Sequence, residues 1–142
     1  MYTDDELLYQ IHSHADQTCD SLENIMNLSN DPQFQLALNE HLKGQRMIYE
    51  QTDRMLSYKN IQGKTISPFH RTINRLNAGL RTMQDRSTSR LAEFTIEQIN
   101  TGLCRLLRLI KQYQGDNENL TRMANAQLRL EEESQYRLRE FL

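Results

Sequence analysis

The sequence predicts an all-α protein, and three features of the 142-residue chain favour helices over strands. The chain has only five glycines and two prolines, which interrupt regular structure. Valine, one of the β-branched residues that strands prefer, is absent, while leucine, glutamine, glutamate and arginine are abundant. Apolar residues recur at alternating steps of three and four, the spacing of one helix face. We therefore expect a four-helix bundle that forms a single domain over residues 1–142.

The first helix is predicted to begin at a capping box. Thr3 supplies the cap and Glu6 lies three residues later, with two further acids in the first turn, where the helix dipole favours negative charge. The stretch NLSNDP ends this helix near residue 28. Its inward face is predicted to contain Leu8, Ile11, Ala15, Thr18, Leu22 and Ile25.

The second helix is predicted to start at Pro32, with Asp31 as its N-cap. Three of its inward positions, His41, Gln45 and Thr52, are polar, which is unusual for a bundle interior. The segment YKNIQGKTIS, centred on Gly63, then predicts a loop. The full inward face is predicted to contain Phe34, Leu38, His41, Gln45, Ile48, Thr52 and Met55.

Three further segments complete the predicted helices. A shorter helix is expected over residues 67–85, with Phe69, Ile73, Leu76, Leu80 and Met83 on one side. After a break at residues 85–89, the third long helix should end at Gly115, with Ala92, Ile96, Ile99, Leu103, Leu106, Ile110 and Tyr113 facing inward. The last helix should run from about Asn117 to the chain end, with Leu120, Ala124, Gln127, Glu131, Ser134, Leu138 and Phe141 facing inward.

Two arrangements of these helices fit the sequence. The segment between the second and third long helices, with its short extra helix, can cross the length of the bundle, so that those two helices run in parallel as in ferritin-like folds. Alternatively, the short helix over residues 67–85 is a fifth up-and-down member. We favour the crossover, since a loop of about nine residues followed by a helix of about seventeen can span the length of the second helix.

A resemblance supports the same fold. The segments DRSTSRLAEFTIEQINTGL and LRLEEESQYRLREFL, within residues 85–142, resemble those of small, uncharacterised bacterial helical proteins of the ferritin-like four-helix-bundle type. The resemblance implies a fold and brings no established activity.

The charge and the cysteine content of the chain indicate which partners it can bind and in which compartment it is expected. The formal net charge is -2 and the pI about 6.1, which gives no attraction to nucleic acid or to anionic membranes. The N-terminal segment is acidic where a signal peptide is basic, and no apolar run is long enough to span a membrane. Cys19 and Cys104 have no metal-type spacing and fit reduced thiols. We expect a cytoplasmic protein that binds neither nucleic acid nor membrane.

Two conspicuous glutamates in the third helix are predicted to be surface residues. Glu93 and Glu97 lie one helical turn apart, but both point sideways and outward from the inward face. Phe94 also falls on the outer side, where it can contact the short helix or a second subunit. We expect a homodimer, with Phe94 as a candidate contact.

A polar layer is predicted inside the bundle. His41 and Glu131 lie near the centres of their inward faces and reach the same height on antiparallel neighbouring helices, so their side chains can touch. Such a layer costs desolvation and can fix the register of the helices. Around the pair, Thr18, Gln45, Gln127 and Ser134 are expected to satisfy the remaining donors and acceptors.

A metal site is the alternative interpretation of this layer. Di-iron bundles use one glutamate from each of two helices and a Glu-x-x-His motif from each of the other two. No histidine here has a glutamate three residues before it, so we expect no cofactor; a divalent metal held by His41, Glu131 and Cys19 is the weaker candidate. We therefore expect a non-enzymatic protein that acts through self-association or partner binding, with a ferritin-like metal or redox protein as the alternative.

Overall fold

The computed structural model describes residues 1–59 and 79–142, and the described residues form helices. The long helices are α1 (Asp4–Leu28), α2 (Pro32–Lys59), α3 (Thr88–Gln112) and α4 (Glu118–Leu138), and a 3-10 turn (Arg139–Phe141) follows α4. The described residues contain no strand beyond an isolated bridge between Tyr2 and Tyr113. The prediction of an all-α protein is confirmed.

Each long helix begins directly after a residue whose side chain caps it. The Thr3 hydroxyl accepts from the Glu6 backbone N–H at 3.3 Å, and the Glu6 carboxylate accepts from the Thr3 N–H at 3.0 Å, which completes the predicted capping box. The side chains of Asp31, Ser87 and Asn117 accept backbone N–H groups in the same way at the starts of α2, α3 and α4. These caps satisfy donors that a helix start leaves without intrahelical partners.

Two predicted helix ends were wrong. α3 ends at Gln112 rather than at Gly115, because Tyr113 is extended and the Gln112 carbonyl accepts from the Tyr2 N–H at 3.0 Å. Gly115 is needed for space instead, since a Cβ there would collide with Tyr113 and Asp4. α4 ends at Leu138 and continues as the 3-10 turn, so it stops short of the predicted chain end.

Contacts between helix ends fix the direction of each helix. The end of α3 lies beside the start of α1 through the Tyr2–Gln112 hydrogen bond. The end of α2 lies at the same place, since Lys59 Nζ is 3.2 Å from Asp5 Oδ1. α1 therefore runs opposite to both α2 and α3.

At the other end of the molecule, the starts of α2 and α3 meet. The Thr88 hydroxyl at the start of α3 donates to Asp31 Oδ2 at the start of α2, over 3.1 Å. The rings of Phe34 in α2 and Phe141 after α4 pack edge to face at 5.4 Å. α2 and α3 thus begin at one end and run in the same direction, opposite to α4.

The interior consists of two apolar clusters with polar residues between them. The faces predicted for α2 and α4 are buried almost throughout; Met55 and Phe141 at their ends are half-buried. One cluster lies toward the start of α2 and includes Phe34, Leu38, Leu91 and Leu138. The other lies toward the start of α1 and includes Leu7, Leu8, Ile11, Leu106 and Leu120. Each fully buried side chain of this kind contributes roughly 1.5–3 kcal/mol to stability.

The inward face of α3 is rotated relative to the prediction. Ile96, Leu103 and Ile110, predicted to face inward, are half-buried at its edge. Fully buried positions include Leu91, Thr95, Gly102 and Leu109, which the prediction placed elsewhere.

Of the two contacts predicted for Phe94, with the short helix or with a second subunit, the described residues show the first. Phe94 is 9% exposed, lies beside Gly79 and belongs to the same apolar cluster as Leu80. Residues 79–81 are helical and cover this side of α3, which makes its buried face broader than one stripe. Phe94 therefore retains little surface for a second subunit.

Several predictions concern residues outside the described range. Most of the loop at residues 58–67 and of the short helix at residues 67–85 falls on residues 60–78, which the structure does not describe. Residues 58 and 59 belong to α2, and the helical residues 79–81 are followed by a turn rather than by helix to residue 85. No helix in the described part of the chain combines the length and apolarity of a membrane span.

Candidate functional site

Glu131 lies at the centre of the polar layer, between one histidine from α1 and one from α2. His14 Nε2 donates to Glu131 Oε1 at 2.7 Å, and His41 Nε2 lies 3.3 Å from Glu131 Oε2. All three residues are 2% exposed or less. We call His14, His41 and Glu131 the buried ionic cluster.

Two glutamines extend the cluster across the interior. Gln45 donates through Nε2 to Glu131 Oε1 at 3.2 Å. Gln127 donates to Gln45 Oε1 and to the backbone carbonyl of Ile11, both at 3.2 Å. Both glutamines are fully buried, so these bonds replace contacts with water that folding removes. The network joins α1, α2 and α4 at one level.

His41 has two competing partners. Its Nε2 lies 3.2 Å from Gln45 Nε2, which is a donor, and 3.3 Å from Glu131 Oε2, which is an acceptor. A neutral imidazole with a bare Nε2 can accept from Gln45, whereas an imidazole protonated there faces the carboxylate. Whether His41 Nε2 bonds to Gln45 or to Glu131 therefore depends on whether that nitrogen carries a hydrogen.

Thr18 and Ser134, the other predicted members of the layer, are both buried. Thr18 lines a small cavity beside the buried ionic cluster, together with Ser21, Thr95 and Gln98. Ser134 Oγ and Glu131 Oε2 have no hydrogen-bond partner among the described residues. The cavity has a volume of about 20 Å³, which is room for one water molecule.

His14 and Gly102 are buried at this site but were not among the residues predicted to face inward. Along α1, the buried positions include adjacent pairs seven residues apart, Leu7–Leu8, His14–Ala15 and Ser21–Leu22. Because His14 lies seven residues after Leu7 and seven before Ser21, the same spacing indicates that its side chain also faces inward. Gly102 brings α3 close to the imidazole, since a Cβ there would lie 3.1 Å from His14 Cε1.

The surroundings of Glu131 favour its charged form. Burial is the largest single influence and raises the pKa of this carboxyl group, but the charges and hydrogen bonds of His41 and His14 together outweigh it and lower the pKa from 4.5 to about 2. The interior thus holds a carboxylate whose charge is stabilised by the two imidazoles.

This pKa predicts how stability depends on pH. Because the folded-state pKa lies below the ordinary value, the stabilisation from Glu131 is complete above about pH 4.5 and is lost as the pH falls toward 2. The shift corresponds to at most about 3 kcal/mol. Denaturant unfolding at a series of pH values should show the advantage of the wild type over Glu131→Gln shrinking across this window. A gap that stays constant from pH 5 to pH 2.5 would contradict the lowered pKa.

Comparison with protein-family models, curated proteins and solved structures finds no match for this chain. The resemblance to bacterial ferritin-like proteins stays a prediction, and the interpretation of the site depends on its geometry.

The residues present do not fit a di-iron centre. Such a centre needs four carboxylates and two imidazoles, whereas the buried ionic cluster contains one carboxylate between two imidazoles. Among the described residues, no three histidine, cysteine, aspartate or glutamate side chains are arranged to hold a metal ion. Burial also raises the pKa of the Cys19 thiol to about 12, which disfavours the thiolate that a metal would require.

Glu93 and Glu97 are both exposed, as predicted. Glu93 pairs with Arg90 on the surface of the same helix, with Oε2 2.8 Å from Nη1. Neither glutamate lines the cavity beside the buried ionic cluster.

Proposed function

We propose that the chain is a ferritin-like four-helix bundle with one long crossover between α2 and α3. The directions of the helices support this topology, since α2 and α3 begin at the same end while α1 and α4 run the opposite way. Two consecutive long helices that run in the same direction require a connection that returns along the length of the bundle.

We propose further that this bundle is a non-enzymatic protein that acts by associating with other copies of itself or with a partner. One observation carries this proposal: the side chains of the buried ionic cluster have almost no contact with solvent. Its three members are at most 2% exposed, and the adjoining cavity of about 20 Å³ cannot admit an organic substrate. The cluster is suited to holding α1, α2 and α4 in register. Interactions with other molecules must therefore use surface residues.

The chemistry of the surface and of the cysteines supports the same proposal. Large apolar side chains are exposed on α2 and α4, among them Leu36, Met47 and Tyr136. A net charge of -2 gives no general attraction to nucleic acid or to an anionic bilayer. Both cysteines, Cys19 and Cys104, are free thiols, which fits a reducing cytoplasmic compartment.

Sedimentation equilibrium of the untagged chain tests the proposed function. We expect a mass of twice 16.8 kDa at micromolar concentration, with dissociation on dilution. A mass of 16.8 kDa at every concentration up to the millimolar range would contradict self-association.

A metal-binding or redox protein is the second candidate function. The observation that favours it is the convergence of two imidazoles on one carboxylate. Two histidines and one carboxylate are the residue types of a known iron site, although here the two imidazoles contact the carboxylate itself rather than a shared ion. Elemental analysis of untagged protein decides between the candidates, with Glu93→Gln as the control. About one iron, manganese or zinc per chain that is lost in His41→Asn/Glu131→Gln would favour the metal protein.

A further inference from the structure

The outer edge of α4 and the turn after it carry charges of alternating sign. Arg129, Glu133, Arg137 and Glu140 follow one another at steps of three or four residues, and all four are exposed. None of them takes part in the ion pairs found among the described residues. Along one face of a helix this pattern is typical of a solvent-exposed surface and of the edges of a coiled-coil interface, where such charges pair with a second helix.

Apolar side chains lie along the same edge. Tyr136 is 71% exposed between the charged residues, and Arg137 and Glu140 border a shallow groove that continues to Leu36 on α2. Aromatic residues with large exposed surfaces are enriched in protein interfaces.

The two helices approach closely at the centre of the surface formed by α2 and α4. The Leu130 side chain occupies the space that a Cβ on Gly44 would fill. Met47, Ala126 and Arg129 line a second groove at this point. We call this surface of α2 and α4 the α2/α4 face.

The order of charges is complementary to a second copy of the same chain. When two α4 helices lie antiparallel with a two-fold axis at the height of residue 135, Arg129 of one copy faces Glu140 of the other. In the same arrangement Glu133 faces Arg137 of the other copy. Each residue pair across the two helices therefore has opposite charges. A parallel, in-register pair would oppose like charges instead.

We propose that two copies of this chain form an antiparallel, two-fold dimer through the α2/α4 face, with α4 packed against α4. This inference rests on the proposed function and names the surface that carries out the association. A two-fold interface uses the same patch on both subunits, which requires self-complementary charge. Because the face carries both signs, it does not suit nucleic acid or an anionic bilayer, either of which needs an excess of positive charge.

Charge reversal tests this interface. Sedimentation equilibrium at several concentrations should show that Glu133→Arg and Arg137→Glu each weaken dimerisation about tenfold, because like charges then face each other. The double variant Glu133→Arg/Arg137→Glu should recover the wild-type dissociation constant, since each pair is restored with its signs exchanged. Arg108→Glu, at an exposed position of α3, is the matched control and should leave dimerisation unchanged.

The possible results separate this inference from the proposed function. A wild-type dimer that is insensitive to both single reversals would overturn the α2/α4 interface while leaving self-association intact. A double variant as weak as the single variants would overturn the antiparallel pairing. A wild type that stays monomeric at all concentrations would overturn both. Thermal unfolding of each variant, followed by circular dichroism, shows that the chain remains folded in every comparison.

Discussion

Replacing Glu131 by alanine is expected to lower the free energy of unfolding by about 3–5 kcal/mol, the usual cost of breaking a buried ion pair by removing one partner. The variant leaves His14 and His41 buried without the carboxylate that both contact. It also removes the acceptor that Gln45 uses, at 3.2 Å. Guanidinium unfolding at pH 7 measures the loss.

The control for this prediction is Glu93→Ala. Glu93 carries the same charge but is exposed and pairs only with Arg90 among the described residues. Exposed pairs of this kind contribute about 0–1 kcal/mol. Equal stabilities of the two variants would show that Glu131 has no special role in the fold.

Replacing His14 by alanine is expected to have the second-largest effect, a loss of about 2–4 kcal/mol, because it empties a filled interior site and removes a hydrogen bond to a buried charge. His14 is 1% exposed and contacts Glu131 at 2.7 Å. Guanidinium unfolding at pH 7 again gives the free energy.

His12→Ala is the matched control, two residues earlier on the same helix. His12 Nε2 pairs with Asp53 Oδ1 at 3.1 Å, and its ring stacks on Tyr49 with centroids 4.7 Å apart. Because half of the Asp53 side chain is exposed, this pair contributes about 0–1 kcal/mol. If His14→Ala lowered the free energy of unfolding no more than His12→Ala, His14 would not be a stabilising member of the buried ionic cluster.

Much of the helical structure was predictable from local chemistry. Thr3, Asp31 and Asn117 are caps because their short side chains reach the free N–H groups of the next turn, and this depends on a few neighbouring residues alone. The inward faces of α2 and α4 were predictable because each packs on the core through one narrow stripe.

The errors arise where residues outside the main stripe of a helix are also buried. α3 buries Phe94 against residues 79–80 as well as Ala92 against the core, so no single stripe describes it. The residues that cover Phe94 belong to another segment, and their position cannot be read from the sequence of α3.

The buried ionic cluster was predictable in part for the same reason. His41 and Glu131 lie at the centres of narrow stripes, which placed them inward and at one height. His14 lies beside Ala15 on a wider face, and either residue could have faced the centre. Gly102, which leaves room for the imidazole, has no side chain to show where it points.

A double-mutant cycle between His14 and Glu131 tests most directly whether the buried ionic cluster is one structural unit. The free energies of unfolding of the wild type, His14→Ala, Glu131→Ala and the double variant give the coupling between the two side chains. We expect the double variant to lose about 1–3 kcal/mol less than the sum of the single losses, because either change alone already breaks the shared contact. Losses that add to within about 0.5 kcal/mol would contradict a structural cluster built around Glu131.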